Sequence, residues 1–170
     1  MKNNDISSEI SNKISNNKSL KNKGLKITYP RLKILEIFDK SDVKHLTPED
    51  VRKKLAENEM ELGLATIYRV LTQFEKIGIL IRHNFDFGKN KIAKSVFELN
   101  KGSHHDHLVC INCGKVEEFY DEVIEKKQIE ITDKYGFHLE YHNMCLYAIC
   151  SECAAKKQNT KTSKQVNKSK

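Results

Sequence analysis

Apolar residues along the first hundred positions recur mostly at helical spacing. Leu32, Leu35 and Phe38, with Ile34 and Ile37 beside them, form one helical face that runs through about Lys40. Thr28-Tyr29-Pro30 reads as its start, with Thr28 as N-cap and Pro30 in the first turn. Thr47-Pro48-Glu49-Asp50 is a second start, because acidic side chains suit the positive end of a helix dipole. Val51 and Leu55 are the inner face of that helix, which ends near Asn58. Residues 65–76 carry the strongest stripe, with Ile67, Val70, Leu71, Phe74 and Ile77 on one side and Gly78 as the stop. The other side presents Thr66, Tyr68, Arg69, Thr72 and Gln73, side chains suited to phosphates and base edges.

The pattern then turns to strands. Residues 79–85 and 95–99 read as a pair joined by a basic turn over 86–93, which holds Gly88, Lys89 and Lys91. Three helices and a hairpin make a winged helix, whose third helix enters the major groove. Asn100-Lys101-Gly102-Ser103 is the expected hinge. Beyond it, residues 116–119 read as a strand and 121–135 as a helix. In that helix Val123, Ile124, Ile131 and Tyr135 are expected to pack, and Glu125, Lys126 and Lys127 to face out. Gly136 breaks it; 137–141 begins another strand and 146–149 continues or resumes one. The fold class is therefore α+β: an N-terminal winged-helix domain and a small C-terminal α/β domain with an antiparallel sheet. One helix cannot cover both faces of such a sheet, and its edge stays open, so pairing with a second copy is expected.

The boundaries follow from these shifts. Residues 1–22 are a flexible extension, in which Ile6, Ile10 and Ile14 read equally as a weak amphipathic helix and as polar disordered chain. Residues 23–100 form the winged helix, 103–155 the second domain and 156–170 a disordered basic tail.

Composition sharpens this division. Residues 1–102 hold 20 Lys/Arg and 13 Asp/Glu, residues 103–155 hold 4 and 10, and residues 156–170 hold 6 and none. A basic front half suits a polyanion and an acidic, His-rich second half suits cations. The longest apolar runs are far short of a membrane span, and the first residues lead into no signal segment. Five cysteines, four of them in two Cys-x-x-Cys pairs, fit a reducing cytoplasm.

Those pairs, Cys110/Cys113 and Cys150/Cys153, suit one tetrahedral zinc, since a two-residue spacer turns both sulfurs of a pair toward one ion. A thioredoxin-like redox site would need one pair at a strand-to-helix turn, not two. His104-His105-Asp106-His107 reads differently. If it is extended, His105 and His107 point one way while His104 and Asp106 point the other. One strand then serves two sites with N and O donors, suited to iron, manganese, cobalt or zinc at exchangeable affinity.

Several stretches together resemble the ferric uptake regulator (Fur) family. They are Gly63-Leu64-Ala65-Thr66-Ile67-Tyr68-Arg69-Val70-Leu71, Arg82-His83-Asn84-Phe85, Val96-Phe97-Glu98-Leu99, His104-His105-Asp106-His107-Leu108 and Cys110-x-x-Cys113-Gly114. The resemblance runs from about Gly24 to Cys153. It implies an iron-responsive, sequence-specific repressor of metal uptake genes, binding a double-stranded DNA operator as a homodimer, with a tetramer left open. It places a regulatory Fe²⁺, replaceable by Mn²⁺, Co²⁺ or Zn²⁺, on His45, Glu98, His105, His107 and Glu118. It places a second metal on His104, Asp106, Glu125 and His142, and structural Zn²⁺ on Cys110, Cys113, Cys150 and Cys153. By the same resemblance Tyr68 and Arg69, beside Thr66, read DNA from the third helix, and Lys26 touches the minor groove.

Three features depart from the family pattern: a longer wing over residues 86–94, a longer N-terminal segment, and the extra thiol Cys145. Peroxide sensors of the family tend to carry Asp where this chain has Glu118, so the residue leans toward iron sensing. Zinc sensors have the same ligand types. A metal-dependent hydrolase would need an acid–base group beyond the cluster, and none stands out; it would also leave the basic half unexplained. A metal-storage protein would show no sequence-specific DNA affinity.

Overall fold

A computed structural model of the chain describes residues 24–86 and 93–156. The expectations for residues 1–22, for most of the wing and for the basic tail lie outside the described residues. The chain divides into two compact units, Met1–Asn84 with Ser95–Lys101, and Phe85–Lys94 with Gly102–Lys170.

In the first unit the helices are α1 (Tyr29–Lys40), α2 (Pro48–Glu57) and α3 (Leu64–Lys76). Strands β1 (Leu80–Phe85) and β2 (Lys94–Leu99) follow and pair with each other, and their end residues Phe85 and Lys94 belong to the second unit. Thr28 caps α1 in an extended conformation with Pro30 behind it, but its side chain makes no capping hydrogen bond. Thr47 does cap α2: its hydroxyl accepts from the Asp50 N–H at 3.1 Å, and the Asp50 carboxylate accepts from the Thr47 N–H at 2.9 Å. This reciprocal box satisfies two donors that the first turn would otherwise leave unpaired. At the end of α3, Gly78 takes φ +65°, where a side chain would be strained. That bend lets Gly78 N–H donate to Glu75 and Ile79 N–H donate to Phe74. The stripes of the three helices meet in one core of Ile34, Leu35, Phe38, Val51, Leu55, Ile67, Leu71 and Phe74, with Phe97 from β2. A bridge of two backbone hydrogen bonds between Leu46 and Phe97 ties the loop before α2 to the hairpin. The periodicity did not reveal that contact.

The second unit contains β3 (Asp106–Cys110), β4 (Val116–Phe119), α4 (Glu122–Lys134) and β5 (Cys145–Ala148) in a sheet of order β4-β3-β5. A final helical segment covers residues 151–156. The α+β class is as read, with two local corrections. The sheet is mixed: β4 runs antiparallel to β3, but β5 runs parallel to it. Parallel pairing sets the C-terminal ends of β3 and β5 side by side, and a Cys-x-x-Cys pair begins at or just beyond each of them. Residues 137–144 form no strand, since β5 begins only at Cys145 and that stretch has no ladder partner among the described residues. Along α4, Val123 is 76% and Tyr135 71% exposed, and Ile131 is exposed too. Helical spacing identified an apolar side there, but none of the described residues covers those three. Glu125, expected outside by the same spacing, is turned inward at 18% exposure.

Candidate metal centres and nucleic-acid face

The thiols come together because of the strand ends. Cys110 closes β3, and Gly114 at φ +80° turns the chain back so that its N–H donates to the Cys110 carbonyl at 2.9 Å. Cys110 also sits beside Ala148 in the parallel ladder, two residues before Cys150. All four sulfurs lie within 4.8 Å of one another, with Cys113 and Cys150 at 3.8 Å. Zn–S bonds of about 2.3 Å in a tetrahedron place sulfurs about 3.8 Å apart, so the donor set fits zinc. The Cys150 N–H donates to Cys110 Sγ at 3.4 Å. That bond, with help from the Cys113 and Asn112 amides, pulls the Cys110 thiol down to about 5. Cys153, hydrogen-bonded among the other thiols, is pushed up to about 12. Cys145 stands outside the cluster, and burial raises its thiol.

A second cluster lies at the other end of β3. His104 and Asp106 meet Glu125 from the first turn of α4, whose N-cap Asp121 accepts from the N–H groups of Val123 and Ile124. His142 arrives three residues before β5. The His142 Nε2 is 3.5 Å from both Asp106 Oδ1 and Glu125 Oε1. The His104 Nε2 is 3.4 Å from Glu125 Oε1 and 3.8 Å from Asp106 Oδ1. Asp106 is 1% exposed, yet among the described residues neither of its carboxyl oxygens has a hydrogen-bond partner, nor do Glu125 Oε1 and His142 Nε2. Buried polar atoms are normally satisfied, so four donor atoms that converge without hydrogen bonds fit a cation. Metal–ligand bonds of about 2.1 Å in a tetrahedron give edges of about 3.4 Å, close to these separations.

The remaining predicted ligands fall on both units. In the first, His45 Nε2 lies 3.2 Å from Glu98 Oε2, and both residues are buried. His83, absent from the predicted ligands, lies 2.7 Å from the other oxygen of Glu98. Its sequence signal is a polar residue between Ile81 and Phe85, in a slot where strand alternation calls for an apolar one. In the second unit the rings of His105 and His107 are 4.9 Å apart, and His105 Nε2 is 4.0 Å from Glu118 Oε1. Glu118 is the ladder partner of His107, so they share a sheet face with His105. Strand parity thus divides the histidines as expected, with His105 and His107 on one side and His104 and Asp106 on the other.

On the nucleic-acid side, Thr66, Tyr68 and Arg69 are exposed on α3, opposite its buried stripe. Lys26 is exposed ahead of α1, and its carbonyl accepts a hydrogen bond from Arg31. Arg31 also donates to Gln73 Oε1, at 2.8 Å from Nη2. Gln73, expected on the recognition face, is therefore half-buried and tied to α1.

A helical unit with an exposed polar recognition side and a second unit of thiol and imidazole clusters define a metal-regulated DNA-binding protein. The model of the ferric uptake regulator family matches residues 22–147. A ferric uptake regulation protein of Bordetella parapertussis is 57% identical over 140 residues, which cover 82% of this chain and 97% of that protein. The solved structure of the Francisella tularensis ferric uptake regulator with iron is 40% identical at a TM-score of 0.70, covering 77% of this chain and 96% of that one. The Helicobacter pylori ferric uptake regulator, a protein with three functional metal-binding sites, is 28% identical at a TM-score of 0.72, covering 85% and 92%. The chain belongs to the ferric uptake regulator family. It is a DNA-binding regulator of transcription and not an enzyme.

Proposed function

We propose that the chain is an iron-responsive repressor in which one Fe²⁺ is shared by the two units. His45 and Glu98 supply donors from the first unit and His105, His107 and Glu118 from the second. The observation that carries this reading is the incompleteness of each half: two buried donors on one unit, three on the other, all of N and O type. The iron assignment is supported by the relatives' names and by the iron in the Francisella tularensis structure. When bound, the ion supplies a charge that both units can ligate at once. His45, fixed beside the capped start of α2, then links the helical unit to the β3–β4 face of the other. Such a link sets the angle at which α3 is presented, and DNA half-sites accept only some angles. Shifting such a two-state equilibrium from mostly open to mostly closed takes about 5.5 kcal/mol of differential affinity. Donors from both units provide that, because a separated pair offers only half the ligands.

In the same reading Cys110, Cys113, Cys150 and Cys153 hold structural zinc, and His104, Asp106, Glu125 and His142 hold a second exchangeable metal. Thr66, Tyr68 and Arg69 contact the operator from α3, with Lys26 at the minor groove. The working form is a homodimer in the cytoplasm, built on the second unit. Val123, Tyr135, Phe137 and Tyr141 support that assignment, since all four are more than 70% exposed. No helix among the described residues is long and apolar enough to cross a membrane.

Selection of bound sequences from a randomised DNA duplex pool tests the reading. It is run without oxygen, with Fe²⁺, Mn²⁺, Zn²⁺ or a chelator in turn. Enrichment of one palindromic motif with Fe²⁺, lost in chelator, is the expected result. Equal enrichment in every arm would contradict metal control, and no enrichment in any arm would contradict operator binding.

A further inference from the structure

We propose that His83 is a positioning residue for the regulatory carboxylate, fixing which oxygen of Glu98 faces the metal. The inference rests on the reading of Glu98 as a ligand and adds a residue with a different task. Three elements converge on this carboxyl group: His45 from the loop before α2, His83 from β1 and Glu98 from β2. All three are buried, Glu98 at 3% exposure and His83 at 8%. The two imidazoles divide the two oxygens between them, His83 Nε2 at 2.7 Å from Oε1 and His45 Nε2 at 3.2 Å from Oε2.

A carboxylate only accepts hydrogen bonds, so a 2.7 Å contact places the proton on His83 Nε2. With that nitrogen donating to Oε1, its lone pair is not offered to an ion there. The imidazole instead fixes the torsion of the Glu98 carboxylate and occupies Oε1. Oε2 is left as the ligand oxygen, on the side of His45. The His45 contact has the opposite fate. A ligating imidazole nitrogen carries no proton, so a His45 that holds the ion through Nε2 would give up its contact with Oε2. His83 thus donates to Glu98 in both the metal-free and the metal-bound chain, and His45 only in the first. A hydrogen bond that orients a ligating carboxylate in this way stabilises the ligand geometry before the ion arrives.

The test measures the Mn²⁺ dissociation constant of the full-length, zinc-loaded protein by EPR. Four forms are compared: His83→Leu, His83→Gln, Glu98→Ala and the Glu98→Ala/His83→Leu double variant. His83→Leu removes the donor and is expected to weaken the regulatory site by about tenfold to a hundredfold. His83→Gln places an amide N–H near the Nε2 position and should recover affinity to within roughly threefold of the parent. In the Glu98→Ala background, His83→Leu should cause no further loss, because the carboxylate it positions is gone. The inference is overturned if His83→Leu binds as tightly as the parent, if Gln is as weak as Leu, or if the loss persists without Glu98. Should Leu fail to fold, His83→Asn, too short to reach Oε1, takes its place in the comparison with Gln. Parent-like affinity of Glu98→Ala marks a different failure, that of Glu98 as a ligand.

Discussion

Asp106→Asn should reverse its effect on stability according to whether metal is present. Asp106 is 1% exposed, and both of its carboxyl oxygens are without hydrogen-bond partners among the described residues. Its nearest cationic candidates are the imidazole nitrogens of His142 at 3.5 Å and His104 at 3.8 Å. Those same nitrogens also face Glu125, so two carboxyl groups compete for them. An unsatisfied buried polar group costs about 1–3 kcal/mol, and more when charged. Without metal the amide removes that charge at nearly constant volume, so Asp106→Asn should be as stable as the parent or more stable by about 1–3 kcal/mol. Metal at a hundred times its dissociation constant adds about 2.7 kcal/mol to a protein that binds it. The variant should lose most of that increment. Urea unfolding at fixed protein concentration, with zinc kept on the thiols, measures it in chelator and in saturating Mn²⁺. Equal destabilisation by Asp106→Asn in both conditions would refute the argument, because the carboxyl would then be a structural hydrogen-bonding group.

Cys110→Ser should lose one tightly held zinc per chain and destabilise the second unit, whereas Cys145→Ser should do neither; zinc content by elemental analysis decides it. In reduced, zinc-stripped protein the Cys110 thiol titrates near 5, against about 8.5 for an unfolded cysteine. A depressed folded value stabilises the fold above the unfolded value, and that stabilisation is lost as pH falls through the folded one. The melting-temperature gap between stripped parent and stripped Cys110→Ser should therefore widen from about pH 5 to pH 8.5, and a constant gap would contradict the thiolate assignment. Arg69→Ala should weaken binding to the selected operator by about 1–3 kcal/mol if it reads a base, with a smaller change on random duplex. A uniform loss on both DNAs would make Arg69 a phosphate contact instead.

Much of the helical unit was legible because its apolar stripes are long and its caps have side-chain chemistry. Ile67, Val70, Leu71 and Phe74 are all buried, on the side that helical spacing assigned. The thiol spacing and the alternation of His104 to His107 were equally local, so the sequence alone could divide them into groups. His45, Glu125 and His142 lie far along the chain from that stretch, Glu98 and Glu118 lie closer but outside its alternation, and only the family resemblance pointed to these five. Single-chain reading fails there because a lone carboxylate beside an apolar run looks like any surface residue until the fold buries it. His83 was missed for the same reason, although its place between Ile81 and Phe85 was a signal. The direction of β5 was not legible, because a four-residue strand has the same alternation whether it pairs parallel or antiparallel. Spacing also overstated the interior of α4. It marks Val123 and Tyr135 as one apolar side but cannot say what covers that side.

The measurement nearest the central claim is a metal titration of operator binding by His45→Ala beside His104→Ala and the parent. It is run without oxygen by fluorescence anisotropy on the selected duplex. His45→Ala should keep its zinc and its oligomeric state by sedimentation, while its Fe²⁺ midpoint moves to higher concentration. His104→Ala, on the other side of β3, should move that midpoint less. A parent-like midpoint for His45→Ala would mean that iron does not control DNA binding by joining the two units.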